Sequence, residues 1–396
     1  MSELKVNSIK GTGASTAAIT IDSSSGGCTA NITNNLSNRN LIINGAMQIA
    51  QRGTSDSSTN GYGTVDRFQV IRSGVDENPT QSQEDVASGT TPYTLGFRKA
   101  FRVTNGNQTS VGTSDYISMR YQFEAQDIAN SGWNYLSSSS FITLSFWVKS
   151  SVAQNFYGYF ETQDGTQYAY PFETGSLTAD TWTKITKTLP GNSNLTFDND
   201  VNNGLRIYIT QFWGTDKTGS ITLNQWAAYN TNLRMPDFAS TWYSTNDATF
   251  EITGVQFEVG SVATDFEHRK FAQELLLCRR YCEVWKSKNA NRDYIMPAKV
   301  EDADDANNSY ITSVQMRSTP TIEISSSSHI SMEYRNGNMA NPVNFSTRTY
   351  NNEYENRLFI NMDLNSSVLS EGDMVFLAFA NNTATGTGTF ILDAEL

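Results

Sequence analysis

Seven aromatic residues fall in short alternating runs in the middle of the chain: Trp147, Tyr157, Tyr159, Tyr168, Tyr170, Tyr208 and Trp213, with Asn, Gln, Asp and Thr between them. Sugars bind proteins by laying their C–H faces on such rings, while amides and carboxylates take their hydroxyls. Tyrosine suits this task better than phenylalanine because its hydroxyl favours a wet edge. The competing use is packing, since an aromatic in a β-sandwich is commonly core, and Phe156, Phe160 and Phe212 are read that way. Trp147, Tyr157, Tyr159, Tyr168, Tyr170 and Tyr208 form the candidate glycan-binding set.

Other chemistries find less support. The two histidines, His268 and His329, have no Cys or carboxylate neighbour at ligand spacing, so no zinc site is expected. The run at 198–204, DNDVNNG, begins like a calcium loop, but its Gly falls at the seventh place, not the sixth, and Ile209 stands where the bidentate Glu belongs. A structural Ca²⁺ on Asp198 and Asp200, or along 301–305, is the weaker alternative to solvated acidic turns. The glycine runs near Gly11 and Gly386 lack the third glycine, the lysine or the helix of a phosphate loop, and no GxSxG occurs. A glycosidase pair is defined by a separation in space, and nothing in the sequence selects one. The expectation is a protein without catalytic residues or cofactor.

The net charge is −12, and basic residues are scattered except between Arg269 and Arg292, so the electrostatic footprint of a nucleic-acid partner is missing. Cys28, Cys278 and Cys282 are an odd number and imply no disulfide framework. The first residues contain no apolar run of signal-peptide length, and no segment approaches the roughly 20 apolar residues of a membrane span. Synthesis in a cytoplasm is expected.

The elements that would position these residues are mainly β. Residues 40–268 consist of short alternating runs divided by turn pairs such as Asn60-Gly61, Asp164-Gly165 and Asn203-Gly204, which read as hairpins of a β-sandwich. The clearest run places Ile142, Leu144, Phe146 and Val148 on a core face and Trp147 on the other. Residues 289–396 form a second alternating region with strands YITSVQM, TIEISSS, RLFINMDL, MVFLAFA and GTFILDAEL, and with exposed edges at 301–308 and 335–341. Residues 1–39 are too rich in Ser, Thr, Gly and Asn to hold a core alone. No fixed repeat suggests a β-helix.

Between the two regions, 269–288, the period changes. Phe271, Leu275, Cys278, Cys282 and Trp285 recur at spacings of four, three, four and three, the seam of a short coiled coil or of a helix laid on its own domain. In a parallel assembly Leu275 and Cys282 take a positions and Phe271, Cys278 and Trp285 take d, with Glu274 facing Arg279 of a neighbouring chain.

This junction, GVQFEVGSVATDFEHR followed by a helix from Glu274 to Tyr281, resembles one seen in bacteriophage tail fibre proteins, departing from it at Phe257, Asp265 and Cys282. NLIINGAMQIAQRGTS at 40–55, TVDRF at 64–68 and TSVQMRSTPTIEI at 312–324 are similar to segments of the same family. A sandwich that opens with NLIINGAMQ and closes with VQFEVG also resembles the jelly roll of carbohydrate-binding modules. The resemblance implies a jelly-roll-like first sandwich, an N-terminal segment 1–39 attached to a tail or baseplate protein, a homotrimer, a place in the virion tail, and adhesion to host surface polysaccharide. Its rivals are a tailspike that cleaves polysaccharide and a purely structural or decorating virion protein.

Overall fold

The computed structural model describes residues 6–10, 12, 19–21, 28–30, 38–288, 293–334, 338–340, 342–349, 357–364, 367–380 and 388–396. Most of the expected attachment segment lies outside them. Its described part is a three-stranded antiparallel sheet, β1 (Ser8–Ile9), β2 (Ile19–Ile21) and β3 (Cys28–Ala30).

Twelve strands follow: β4 (Ser55–Asp56), β5 (Phe68–Ser73), β6 (Thr80–Asp85), β7 (Lys99–Thr104), β8 (Tyr116–Glu124), β9 (Phe141–Ser150), β10 (Asn155–Thr162), β11 (Tyr168–Ser176), β12 (Thr183–Pro190), β13 (Asn203–Trp213), β14 (Ala227–Ala228) and β15 (Thr249–Val259). They form two six-stranded antiparallel sheets, ordered β14-β11-β10-β13-β8-β5 and β12-β9-β15-β7-β6-β4. Alternation decides which residues face inward. Ile142, Leu144, Phe146 and Val148 of β9 are fully buried, as their spacing predicts, and join Met119, Phe160 and Ile207 of the other sheet in one core. Burying each such side chain contributes about 1.5–3 kcal/mol.

The opening segment NLIINGAMQ lies outside any assigned strand. It binds instead where β15 leaves β7 after Ile252. There Gly254, at φ +62°, sits in a register shift between Thr253 and Gln256, and a Cβ on it would meet the Phe97 ring at 2.6 Å. Asn40 Oδ1 accepts from the amides of Ile42 and Phe257, each at 3.0 Å, and the Leu41 amide donates to the Phe257 carbonyl at 2.9 Å.

Three short helices, α1 (Thr91–Thr94), α2 (Ala125–Ala129) and α3 (Thr241–Ser244), lie in the connections, and α4 (Phe271–Arg279) follows the sandwich. The helix expected over 269–288 is therefore only nine residues long. Cys282 and Trp285 belong to β16 (Cys282–Lys286), which pairs with β25 (Thr389–Asp393), Cys282 opposite Asp393 and Trp285 opposite Phe390. Backbone pairing to β25, with Trp285 edge-on to Phe390 and Tyr310, outweighs the helical spacing.

The expected seam does not form a stripe. Phe271 is 58% exposed and Leu275 half-buried, whereas Cys278 and Cys282 are buried within their own chain. Glu274 also turns inward, accepting from the Asn44 amide and lying 3.4 Å from Arg269, while Arg279 donates to Ser313 Oγ at 3.0 Å.

The C-terminal strands are β16, β17 (Tyr294–Val300), β18 (Asp305–Ile311), β19 (Thr321–Ile324), β20 (Ile330–Tyr334), β21 (Asn338–Ala340), β22 (Pro342–Thr349), β23 (Arg357–Leu364), β24 (Met374–Phe379) and β25. They make a three-stranded sheet, β16-β25-β19, and a seven-stranded one, β21-β20-β24-β17-β18-β23-β22. Met296, Val300, Ile360, Leu377 and Phe390 share their core. The expected acidic loop 301–308 is partly strand: β18 pairs along its length with β23 and buries Ala306. The run YITSVQM is a strand only at Tyr310 and Ile311, its remainder lying outside the ladder. The turn at 335–341 lies largely outside the described residues.

The two sandwiches meet around Arg67, which is 1% exposed. Its guanidinium lies 3.4 Å from the centroid of the Tyr281 ring and pairs with Glu395. Nearby, Glu124 accepts from Arg280 at 2.7 and 2.8 Å and from the Tyr281 hydroxyl at 2.7 Å. Arg67→Ala, which leaves the buried Glu395 carboxylate only its longer contact to Arg52 at 3.5 Å, should cost about 3–5 kcal/mol in urea unfolding. Asp66 is fully buried too, and burial lifts its carboxyl from 3.8 to about 6 despite Arg52 nearby. Because the folded value lies above the unfolded one, this group's stabilising contribution is complete below 3.8 and is lost as pH rises through about 6. Asp66→Asn should flatten that slope in unfolding curves recorded from about pH 4 to 7.

Candidate functional site

The outward face of the β14-β11-β10-β13-β8-β5 sheet carries rows of residues in cross-strand register. One row runs Gln69, Arg120, Tyr208, Tyr159 across β5, β8, β13 and β10; the next runs Ile71, Ser118, Thr210, Tyr157. On the other side of the Tyr208 row, Arg206 stands between Gln122 and Glu161. Pairs in register stand close enough to interact directly, so the sequence of four strands is combined into one surface.

A bulge supplies the next ring. Between Thr210 and Phe212 the β13–β8 register shifts, leaving Gln211 as the extra residue. Strict alternation would aim Phe212 outward and Trp213 inward. The shift reverses both, so Phe212 enters the sandwich core and Trp213 stacks on Tyr116 across the strand, 4.4 Å between centroids and 17° between planes. Tyr159 and Tyr208 stack similarly, at 4.2 Å and 3°.

A long connection, 214–238, folds back over this face. The Arg234 amide donates to the Lys217 carbonyl at 2.8 Å, the Gly219 amide to the Met235 carbonyl at 3.0 Å, and Met235 is fully buried against the rings. The fold-back brings Lys217, Tyr229 and Arg234 to the rim. Arg234 lies over Trp213 at 4.6 Å and over Tyr229 at 5.7 Å, and Arg120 lies 5.8 Å from the centroid of Tyr208.

What stays open is a solvent-connected cleft of ≈ 290 Å³, bounded by Tyr116, Tyr208, Trp213 and Tyr229 with Arg120, Arg206, Lys217, Arg234 and Glu161. Small-molecule sites enclose about 300–1,000 Å³, so this one stands at the lower end of that range and suits roughly one sugar ring. Among the described residues, Tyr159 Oη, Trp213 Nε1, Arg120 Nε and Arg234 Nε are buried without a hydrogen-bond partner. Burial, with Tyr208 adjacent, holds the Tyr159 hydroxyl far above its usual range, so it stays a protonated donor.

The six candidate residues are thus divided. Tyr208 walls the cleft, Tyr159 stacks behind it, and Tyr157 stands one row away, edge-on to Phe238 at 5.0 Å. Tyr170 is a correction: it points between the sheets, 3% exposed, its hydroxyl donating to the Thr188 carbonyl at 3.3 Å. Tyr168 likewise packs on the sandwich core, because on β11 it shares Tyr170's side of the strand. Trp147 lies on the other sheet, beside Trp182 and Phe266 against Ala100 and Phe97, so it cannot share a ligand with Tyr208.

The cations were missed. Arg120 follows the outward alternation of YISMRYQFE and was legible there. Tyr229 and Arg234 come from a connection with no period to read, and the bulge that aims Trp213 has no local signature. A larger cleft of ≈ 520 Å³ at the domain junction offers one ring, Tyr62, and charges already engaged, such as Arg52 with Asp393 at 2.7 Å. The acidic turn near Asp198 is satisfied locally, Asp200 accepting from the Asn202 amide at 2.9 Å and Asp164 from the Asp198 amide at 3.0 Å.

No family model matches the chain, and no curated protein does. Among solved structures, the chain is similar to the enzymatically active domain of tailspike protein 4 of bacteriophage CBA120, at 10% identity and a TM-score of 0.31, over 56% of this chain and 21% of that one. It is also similar to a family 30 carbohydrate-binding module, at 12% identity and a TM-score of 0.25 over 57% and 91% of the two chains. A third is the family 11 carbohydrate-binding module from Clostridium thermocellum, at 12% identity and a TM-score of 0.23 over 54% and 98%. These likenesses are remote, and what the cleft does rests on its own residues.

Proposed function

We propose that this protein is a phage tail fibre that adheres to the host surface by binding glycan in the cleft on the outer face of its first sandwich. The observation that carries the binding reading is the cleft itself: the half-buried rings of Tyr116 and Tyr229, with the edges of the buried Tyr208 and Trp213 behind them, surround a space of sugar size with charged donors at its rim. The fibre reading is supported by the junction at 254–281 and the segments at 40–55, 64–68 and 312–324 that resemble tail fibre proteins. In this reading residues 1–39 attach to a tail or baseplate protein, and the chain is part of the virion tail.

Avidity supports a trimer. A site of millimolar affinity yields only about −4 kcal/mol, and joining several on one stalk raises avidity by roughly 10² to 10⁴. Cys278 and Cys282 are buried and Trp285 packs half-buried on the C-terminal core, which takes them out of a helical intersubunit seam, so the contact in a trimer would use other surfaces. Light scattering on the purified protein should return three times the 43.9 kDa chain mass. A monomer mass would overturn the assembly.

Tyr208→Ala and Trp213→Ala should each weaken binding to host surface polysaccharide about tenfold, or 1.4 kcal/mol, in titration calorimetry. Trp147→Ala should leave binding unchanged, since Trp147 lies on the opposite sheet. Equal effects from all three variants would reject the assignment of the cleft.

A further inference from the structure

We infer that the sugar held in this cleft is acidic, a carboxylate-bearing residue of the uronate or nonulosonate class; the inference rests on the glycan-binding reading above. The cleft's charge runs against that of the chain. The whole protein carries −12, yet the cleft is lined by Arg120, Arg206, Lys217 and Arg234 against one carboxylate, Glu161.

Glu161 offsets only part of this. It lies 4.0 Å from Arg206, and that is its ion pair among the described residues. The other three cations bond to neutral partners: Arg120 to Gln69 Oε1 at 2.9 Å, Lys217 to Asn232 Oδ1 at 2.8 Å and Arg234 to Thr231 Oγ1 at 3.4 Å. Asp216, next to Lys217 in sequence, is exposed, bonds to Ser114 at the cleft margin and offsets part of the Lys217 charge through solvent. No carboxylate among the described residues lies within ion-pair distance of Arg120, Lys217 or Arg234.

Two of the guanidinium groups are also incompletely bonded. The Nε–H of Arg120 and of Arg234 are buried without an acceptor, a state that costs about 1–3 kcal/mol per donor and that an incoming anion relieves once the side chain turns toward it. A guanidinium matches a carboxylate through two parallel N–H···O bonds, and its face is free at the same time to lie on an aromatic ring, as Arg234 does on Trp213. The cleft therefore offers the half-buried Tyr229 ring to the pyranose and a fork, backed by Trp213, to its acid group within one small volume. A neutral sugar would use the rings and leave the cations unmatched.

The test is a glycan array probed with the full-length protein, carrying uronate- and sialate-bearing, sulfated and neutral glycans. It is paired with calorimetry on the strongest ligand before and after its carboxyl groups are reduced to alcohols. Binding should be confined to carboxylate-bearing glycans, fall at least about tenfold on carboxyl reduction, and weaken as NaCl is raised. Arg234→Gln and Arg120→Gln should each reproduce that loss on the acidic ligand while retaining the melting temperature. If one of them fails to fold, the other and the reduced ligand decide. Binding to neutral glycans at equal strength, abolished by Trp213→Ala, would overturn the acidic assignment and leave the glycan-binding reading standing. Binding confined to sulfated glycans would overturn the carboxylate. A blank array would overturn both readings.

Discussion

Arg67 places a full positive charge where almost no solvent reaches, and both sandwiches must be present to compensate it. Its guanidinium donates to the Gln122 carbonyl of β8 and lies between the Tyr121 and Tyr281 rings, while Glu395, two residues beyond β25, supplies the countercharge. Desolvating such a charge costs several kcal/mol, so the arrangement is stable only when every partner is in place. Arg317 adds bonds from the C-terminal domain to the Val201, Ala394 and Glu395 carbonyls. The domain junction is thus a polar interior shared between two β-cores.

That interior adjoins the cleft through one residue. Gln122 stands on the outer face of β8, where its Oε1 accepts from Arg206 at 3.0 Å and its Nε2 donates to the Leu396 carbonyl. The orientation of Arg206, a cleft cation, is accordingly set in part by the C-terminal domain. The cleft-bearing face of the first sandwich and the second sandwich beside it are parts of one structure.

The sandwich was legible wherever one face of a strand is apolar and the other polar, as in β9, because burial enforces a period of two. The helix stops short of the span its spacing implies, for a physical reason. Cys278 and Cys282 are both buried, but the first faces inward from a helical turn and the second from a strand, and a spacing of four does not distinguish them. The ring-bearing face was half legible. Tyr208, Tyr159 and Tyr157 lie together because their strands are neighbours in register, whereas the side of β11 on which Tyr170 stands depends on the pairing itself. Trp213 owes its place to an unpaired Gln211, and Arg234 to a connection held by backbone bonds at Lys217 and Met235. Neither cause is local, so neither leaves a pattern to read.

The way the chain enters and leaves the first sandwich has a mechanical consequence. Asn40 and Leu41 lie against Phe257, Arg269 donates to the Asn40 and Ile42 carbonyls, Glu267 accepts from the Asn40 amide at 2.8 Å, and Glu274 accepts from Asn44. Entry and exit are therefore clasped to each other, with more than two hundred residues of sandwich looped out between them. Tension applied between residue 38 and α4 is carried by this clasp and passes the sandwich by. The sheet that carries the cleft hangs beside that line of force, so tension between these two points does not reshape the cleft until the clasp itself gives way.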